Sequence, residues 1–322
     1  MISDFKSGEK ILNDFVLRNK ELRAKKDSNV KYLSVELGDS SGRLFGSLWD
    51  NVDKTNSSIA IGEIVHVKGT VIDWKGRQHL SIDSIKPVSK EDGVDSDEFV
   101  PKAKEKPDEL FKKFLSWKEH IEDKHLRDLV DLIFNDKAVK SCFKESPAGK
   151  LWHHNYKGGL MDHSTQVAAI CKGMAESYSE INKDLLITAA MLHDIGKMRE
   201  FKCDGFIDYS DEGRLLGHVV IGYGIVKSFI DKVDNFPEGL KFELLHLILS
   251  HQGKRDNGSP VDPMTREALI LYYADEIDSK LNAFGRIYKQ EYEPGKKWSN
   301  YVRLMNRFFY FGDGKPAEKA TR

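Results

Sequence analysis

The sequence predicts two domains of different class: a small all-β closed barrel followed by an all-α helical bundle. Three observations predict this. Residues 1–88 break into short alternating strands punctuated by turn residues, a polar segment follows, and from there to the C-terminus the apolar residues recur at helical spacing. With 322 residues, 40% of them hydrophobic and 31% charged, the chain is long enough to bury two cores.

The barrel reading rests on five runs: FVLRNKELR (15–23), KYLSVEL (31–37), RLFGSLW (43–49), IVHVKGTVI (64–72) and RQHLSIDSI (77–85). GDSSGR and DWKGRQ, between some of them, read as hairpin turns. Five strands with little helix suggest an OB-like barrel, a fold whose second and third strands form a binding surface. Period-two alternation turns Leu33, Val35, Leu37, Leu44 and Leu48 inward. It leaves Tyr32, Arg43, Phe45 and Trp49 on the outer face, with Trp74 at the DWKGRQ turn extending it. Aromatic rings on such a face stack bases at about 1–3 kcal/mol each and an arginine adds backbone attraction, so these five residues are the candidate contacts for a single-stranded nucleic acid. RNKELRAKK (18–26) adds five cations, yet residues 1–88 hold 14 basic against 12 acidic residues, so electrostatic help is modest. The competing reading has some of these aromatics packing on the linker or the helical domain.

SKEDGVDSDEFVPKAKEKPD (89–108) carries seven acidic and four basic residues and two prolines, and reads as an extended linker. No internal repeat occurs on either side. Residues 109–322 read as the helical domain, opening with Leu110, Phe111, Phe114, Leu115 and Trp117. Further helices are expected over 123–143, 163–179, 183–195, 215–232, 239–251 and 264–289. The tail KKWSNYVRLMNRFFYF (296–311) reads as a last helix, packed on the core or on another subunit in a homo-oligomer; lining a nucleic-acid channel is the lesser reading.

Whole-chain chemistry excludes several classes. The net charge of −1 gives no global attraction to nucleic acid or membrane, so a nucleic-acid partner must be held by a local patch. Cys142, Cys171 and Cys203 have no paired spacing, which argues against a disulfide framework and for a reducing compartment. No signal peptide and no membrane-length apolar run is expected, so the chain is placed in the cytoplasm. There is no G-x-S-x-G and no G-x-x-x-x-G-K-[ST].

What remains is a set of histidines and carboxylates on apolar helix faces. In DLLITAAMLHDIGK, His193 and Asp194 end an oily helix, with Gly196 a natural stop. Polar groups at a buried helix end are costly unless compensated, and a metal ion would compensate both. His163 shares a stripe with Val167, Ile170 and Met174, and His218 with Ile221, Ile225 and Phe229. His251 follows Leu244, Leu247 and Ile248, while Asp275 lies under Leu271 and Tyr272. Four helices each aiming one such group inward point to a shared ion. Asp278, one turn on, is a runner-up ligand, and His246 reads as structural. His153 and His154, in LWHHNYKGGL, are substrate-phosphate candidates or else surface histidines. Lys197 would neutralise phosphoryl charge beside Asp194, against a solvated helix-terminal lysine; Arg214 carries the same ambiguity.

The order His163, His193-Asp194, Asp275, with GGLMDHS, HDIGK, GRLLGH, LSHQG and ADEID around the ligands, resembles the HD-domain metal phosphohydrolases. The resemblance implies a first metal on His163, His193, Asp194 and Asp275. It implies a second on His218 and His251, with Asp194 bridging. Such a site suits phosphoester hydrolysis by metal-activated water, since a bound ion lowers the water pKa from about 15.7 towards 7. The donors admit one or two divalent ions, and manganese, iron, cobalt, nickel and zinc all fit; the resemblance favours manganese.

An OB-like barrel followed by an HD domain, over essentially the whole chain, resembles the YhaM-type 3′-to-5′ exoribonucleases. That implies removal of nucleotides from the 3′ end of single-stranded RNA, with single-stranded DNA a further substrate, and release of nucleoside 5′-monophosphates. The rival readings are a nucleotide or cyclic-nucleotide phosphohydrolase with a regulatory barrel, a non-enzymatic RNA-binding adaptor and, last, an iron-dependent HD oxygenase.

Overall fold

The computed structural model describes residues 1–25, 28, 30–89 and 93–312, without the Leu304 side chain. Lys26 of the cationic run, residues 90–92 of the linker segment and residues 313–322 lie outside the described residues.

The five strands are β1 (Lys10–Ala24), β2 (Lys31–Asp39), β3 (Gly42–Leu48), β4 (Ile64–Asp73) and β5 (Gln78–Pro87), closed in the order β1-β2-β3-β5-β4. Every neighbouring pair is antiparallel except β3 with β5. β1 starts five residues before the predicted run. Its first half pairs with β4 and its second half with β2, with a register shift between Leu17 and Asn19. One long bent strand thus closes the barrel. At the second shift, in β4, a Cβ on Gly69 would sit 2.4 Å from the Ser81 carbonyl oxygen, so the strands meet there only over glycine. Phe15, Leu33, Val35, Leu37, Leu44 and Leu80 fill the interior. A short helix that the strand pattern did not announce, α1 (Val52–Ser58), joins β3 to β4.

The segment after the barrel is held rather than extended. A 3-10 turn at Ser96–Phe99 is followed by buried Val100, and Lys157 Nζ donates to both Asp97 oxygens at 2.7 and 2.8 Å. The Ala103 and Lys157 amides then tie residues 101–103 to residue 157. α2 (Pro107–Leu115) opens the bundle with proline in its first turn. The single helix expected over 123–143 is two, α3 (Lys124–Asn135) and α4 (Lys137–Glu145). Asp136 breaks them by capping the second through the Ala138 and Val139 amides. The rest are α5 (Gly159–Ser177), α6 (Lys183–Leu192), α7 (Lys197–Glu200), α8 (Asp211–Ile230), α9 (Glu238–Ser250) and α10 (Arg266–Glu291). Leu160, Val167, Leu186, Ala190, Leu247 and Leu271 lie at their common centre.

Two further departures shape the molecule. Residues 201–209 form a hairpin, β6 (Phe201–Asp204) and β7 (Phe206–Tyr209), turning on Gly205 at φ 70°. Its signal was present as Asp-Gly between alternating apolar residues. Its tip reaches the barrel: the Arg18 guanidinium stands 4.8 Å from the Phe206 ring centroid. The tail holds no helix beyond a 3-10 turn at Arg303–Met305. It folds back on itself at Asn306 (φ 51°), pairing Val302 with Arg307, and packs Val302 and Phe311 against Ile287 of α10. Among the described residues no helix is long and apolar enough to cross a membrane.

Candidate metal centre

α6 is capped by the Asn182 side chain and buried from Leu185 to Leu192, so it runs through the middle of the bundle. His193 continues the helical backbone and Asp194 follows in the turn, both fully buried. Gly196 does not stop this helix through a left-handed residue, as expected; its φ is −63°. It is needed for contact instead. A Cβ there would lie 2.0 Å from the His218 carbonyl oxygen, so only glycine lets α8 approach.

Asp194 is the hub. Its Oδ2 lies 3.3 Å from His163 Nε2 and 3.4 Å from His193 Nε2, and Asp275 Oδ1 is 3.2 Å from the same His163 nitrogen. Its Oδ1 faces the other way, 3.5 Å from His218 Nε2 and 3.4 Å from His251 Nε2. One carboxylate therefore stands between two donor groups brought from α5, α8, α10 and the ends of α6 and α9.

The far nitrogen of every ring is committed. His163 Nδ1 is 2.7 Å from Asp278 Oδ2, and His218 Nδ1 is 3.0 Å from Glu200 Oε1. His193 Nδ1 and His251 Nδ1 reach the Ala190 and Ile248 carbonyls at 3.0 and 2.7 Å. Each acceptor there requires Nδ1–H, which leaves the Nε2 lone pair aimed at Asp194. His163 Nε2 and His193 Nε2 are only 3.2 Å apart, which two lone pairs tolerate only with a proton or a cation between them. Both Asp194 oxygens and His251 Nε2 are buried without a hydrogen-bond partner. Lys197 Nζ, 2.6 Å from Oδ2, forms an ion pair there without hydrogen-bond alignment. Orphaned acceptors of this kind fit divalent cations, and the donor set is entirely imidazole and carboxylate.

The electrostatics agree. Burial would lift the Asp194 carboxyl, but Lys197 and the neighbouring histidines hold it well below the usual range. Burial would lower His163, but the adjacent carboxylates of Asp194, Asp275 and Asp278 raise it well above an ordinary imidazole. The pocket draws positive charge.

The other candidates fall in different places. His154 is not a surface residue. It is buried at φ 44°, with Nε2 2.9 Å from Asp278 Oδ2 and Nδ1 2.9 Å from the Tyr156 hydroxyl, so both nitrogens are used. Asp278, the runner-up ligand, meets His154 at Nε2 and His163 at Nδ1, the ring nitrogen turned away from Asp194, and these three groups could themselves share an ion. The His153 ring lies 5.3 Å from that of His163, and burial pushes its pKa down to about 3. Arg214 turns away to Asp208, at 3.2 Å, and to the Tyr209 ring. The His246 ring accepts the Met264 amide, a structural bond. Glu200 escaped sequence reading altogether, because nothing in KMRE marks a buried acid; its partner is known only once α8 packs beside it.

On the barrel, Phe45, Trp49 and Trp74 are 55%, 45% and 59% exposed, and Tyr32 stacks on Trp49 with ring centroids 4.6 Å apart. Arg43 is not free beside them. Its guanidinium is 3.3 Å from Glu36 and reaches the Lys150 carbonyl of the helical domain at 3.4 Å.

Comparison with known proteins adds to this geometry. Residues 160–280 match the HD domain family, and residues 17–88 match the OB-fold nucleic acid binding domain family. The 3′-5′ exoribonuclease YhaM of Shouchella clausii is 36% identical over 286 residues, 88% of each chain. That of Bacillus subtilis is 32% identical over 284 residues, 88% of this chain and 89% of the relative. That of Listeria monocytogenes is 30% identical over 307 residues, 95% of this chain and 96% of the relative. The chain belongs to the YhaM 3′-5′ exoribonuclease family. Among solved structures, the HD domain of the L. monocytogenes phosphodiesterase PgpH aligns at 18% identity and TM-score 0.31, over 46% of this chain and 74% of that one. In this YhaM family member all six donors and Asp278 lie inside the HD match, while the exposed aromatics lie inside the OB-fold match.

Proposed function

We propose that this YhaM family member removes nucleotides from the 3′ end of single-stranded RNA, and of single-stranded DNA as a further substrate. Nucleoside 5′-monophosphates leave, and divalent metal, manganese foremost, is required. The observation that carries this is the Asp194 carboxylate, buried, without a hydrogen-bond partner at either oxygen and flanked on each side by imidazole nitrogens. His163, His193, Asp194 and Asp275 would hold one ion, and Asp194, His218 and His251 a second. Such ions supply Lewis-acid stabilisation of phosphoryl charge and a water of lowered pKa.

The chain's own residues do the rest. The four Nδ1 anchors keep the rings in one tautomer and orientation, so the donors need little rearrangement on binding metal. Lys197 places a buried ammonium beside Asp194, where it would offset charge gathering on the phosphoryl oxygens. Covalent catalysis by Cys171 or Cys203 finds no support: burial pushes the Cys203 thiol up to about 12 and raises Cys171 as well. Tyr32, Phe45, Trp49 and Trp74 would hold bases by stacking. An RNA substrate and three unpaired cysteines suit a cytoplasmic enzyme.

The test is a time course on 5′-labelled single-stranded RNA with manganese, beside Asp194→Ala and an EDTA control. A ladder shortening from the 3′ end, absent in both controls, is expected. Intact RNA alongside turnover of mononucleotides would transfer the assignment to a nucleotide phosphohydrolase.

A further inference from the structure

Two cavities of about 500 and 440 Å³ lie between barrel and bundle, and both are lined by Arg43, Arg286 and Gln290. Arg43 comes from β3, Arg286 and Lys289 from α10, Lys150 from the loop before α5, and Arg303 from the tail. Their charge is poorly balanced. Arg18 and Arg43 share a single Glu36 oxygen, at 3.2 and 3.3 Å, and Lys150 pairs with Asp208. Arg286, Lys289 and Arg303 have no acidic side chain within ion-pair distance among the described residues. Burial, and then the Arg43 charge, push the Arg286 guanidinium below its usual range. Asp39 and Glu291 also line the cavities, but Asp39 accepts backbone amides and Glu291 pairs with Lys296, so cations outnumber free carboxylates in a partly dry cleft, which suits an anion.

The cleft has a direction. Arg43 donates to the Lys150 carbonyl and Arg286 to the Leu151 carbonyl, so both grip one loop. Trp152 of that loop lines the first cavity, and the next residue, His153, lies against His163 of the metal centre. His154 then anchors to Asn282 and Asp278 of α10. The loop that walls the cleft thus continues in sequence to residues beside the candidate active site. At its other end, Arg43 shares the outer side of β3 with Phe45, two residues on, and exposed Trp49 follows just past the end of the strand. Tyr301, half exposed in the first cavity, adds an aromatic surface between the cations.

We propose that this cleft carries the phosphodiester backbone of the substrate strand from the aromatic face of the barrel to the metal centre, with Arg286, Lys289 and Arg303 each facing a phosphate. This rests on the exoribonuclease reading. Cations that follow the backbone, with aromatics for the bases, form the usual platform for a single strand. A mononucleotide would engage only one of these charges.

The experiment measures binding of 5′-fluorescein single-stranded RNA to the full-length protein by anisotropy, in EDTA so that nothing is cut, across a salt series. Each phosphate contact on a single strand contributes about 0.7 to the slope of log affinity against log salt, or roughly fivefold in affinity at 0.1 M. Lys289→Gln and Arg303→Gln, both at exposed positions, are expected to weaken binding by about fivefold each and to flatten the slope by about 0.7. Arg286→Gln is expected to do the same, while Arg286→Lys keeps the slope. Thermal melting checks that each variant is folded; if Arg286→Gln is not, the two exposed positions carry the test. Affinity and slope equal to the parent's in Lys289→Gln and Arg303→Gln overturn the proposal. So does a changed oligomeric state with RNA binding untouched, which would make the cleft a contact between copies. A parent protein that binds no RNA removes the exoribonuclease reading itself, a result distinct from either.

Discussion

Asp278→Ala separates a ligand from a residue that aims one. Asp278 Oδ2 accepts the His163 Nδ1 proton at 2.7 Å and the His154 Nε2 proton at 2.9 Å. Alanine leaves both buried N–H groups unpaired and frees the His163 ring to turn. Loss of a partner behind a metal-bound histidine typically lowers metal affinity 10–100-fold, which is about 1.4–2.8 kcal/mol. Manganese titration of metal-stripped protein by calorimetry measures the affinity, and RNA degradation at limiting and saturating manganese measures the consequence. The expected result is a dissociation constant raised 10–100-fold with activity largely restored at saturating metal. Asp275→Ala, which removes an oxygen 3.2 Å from His163 Nε2, is expected to resist that rescue. Unchanged manganese affinity in Asp278→Ala would refute the positioning role. Equal, unrescued defects in the two variants would make Asp278 a ligand.

Manganese at about 100 times its dissociation constant stabilises the native state by about 2.7 kcal/mol, and EDTA reverses it; a melting curve should show a rise of about 5–11 °C. No shift with any divalent ion would count against the Asp194 site. Gly196→Ala places a methyl 2.0 Å from the His218 carbonyl oxygen, so a loss of at least about 1–3 kcal/mol is expected in denaturant unfolding, with weakened metal binding. Wild-type stability there would mean that α8 is free to move away. Trp49→Ala removes a ring 45% exposed and stacked on Tyr32, and should weaken single-stranded RNA by about 1–3 kcal/mol; unaltered affinity would exclude that face from binding.

Local pattern decided much of this protein. Period-two alternation in KYLSVEL and RLFGSLW separates the buried leucines from Tyr32, Phe45 and Trp49, because a strand has only two faces. Helical spacing likewise exposes His163, His218, His251 and Asp275 as polar groups among apolar neighbours, which is why they can be picked out without coordinates. Where one residue overrides a periodic run, the pattern misleads: Asp136 splits a helix, Asp-Gly makes a hairpin within a helical half, and the amphipathic tail folds back at Asn306.

What only the tertiary structure decided is how those groups face one another. The two sides of Asp194, the use of His154 behind Asp278 and Asp278 behind His163, the capture of the His218 ring by Glu200, and the meeting of Arg43 with Arg286 each join residues far apart in the chain. Periodicity says which face of an element is buried. It carries no record of which residue on another element waits there, and hydrogen bonds and unbalanced charge depend on that pairing.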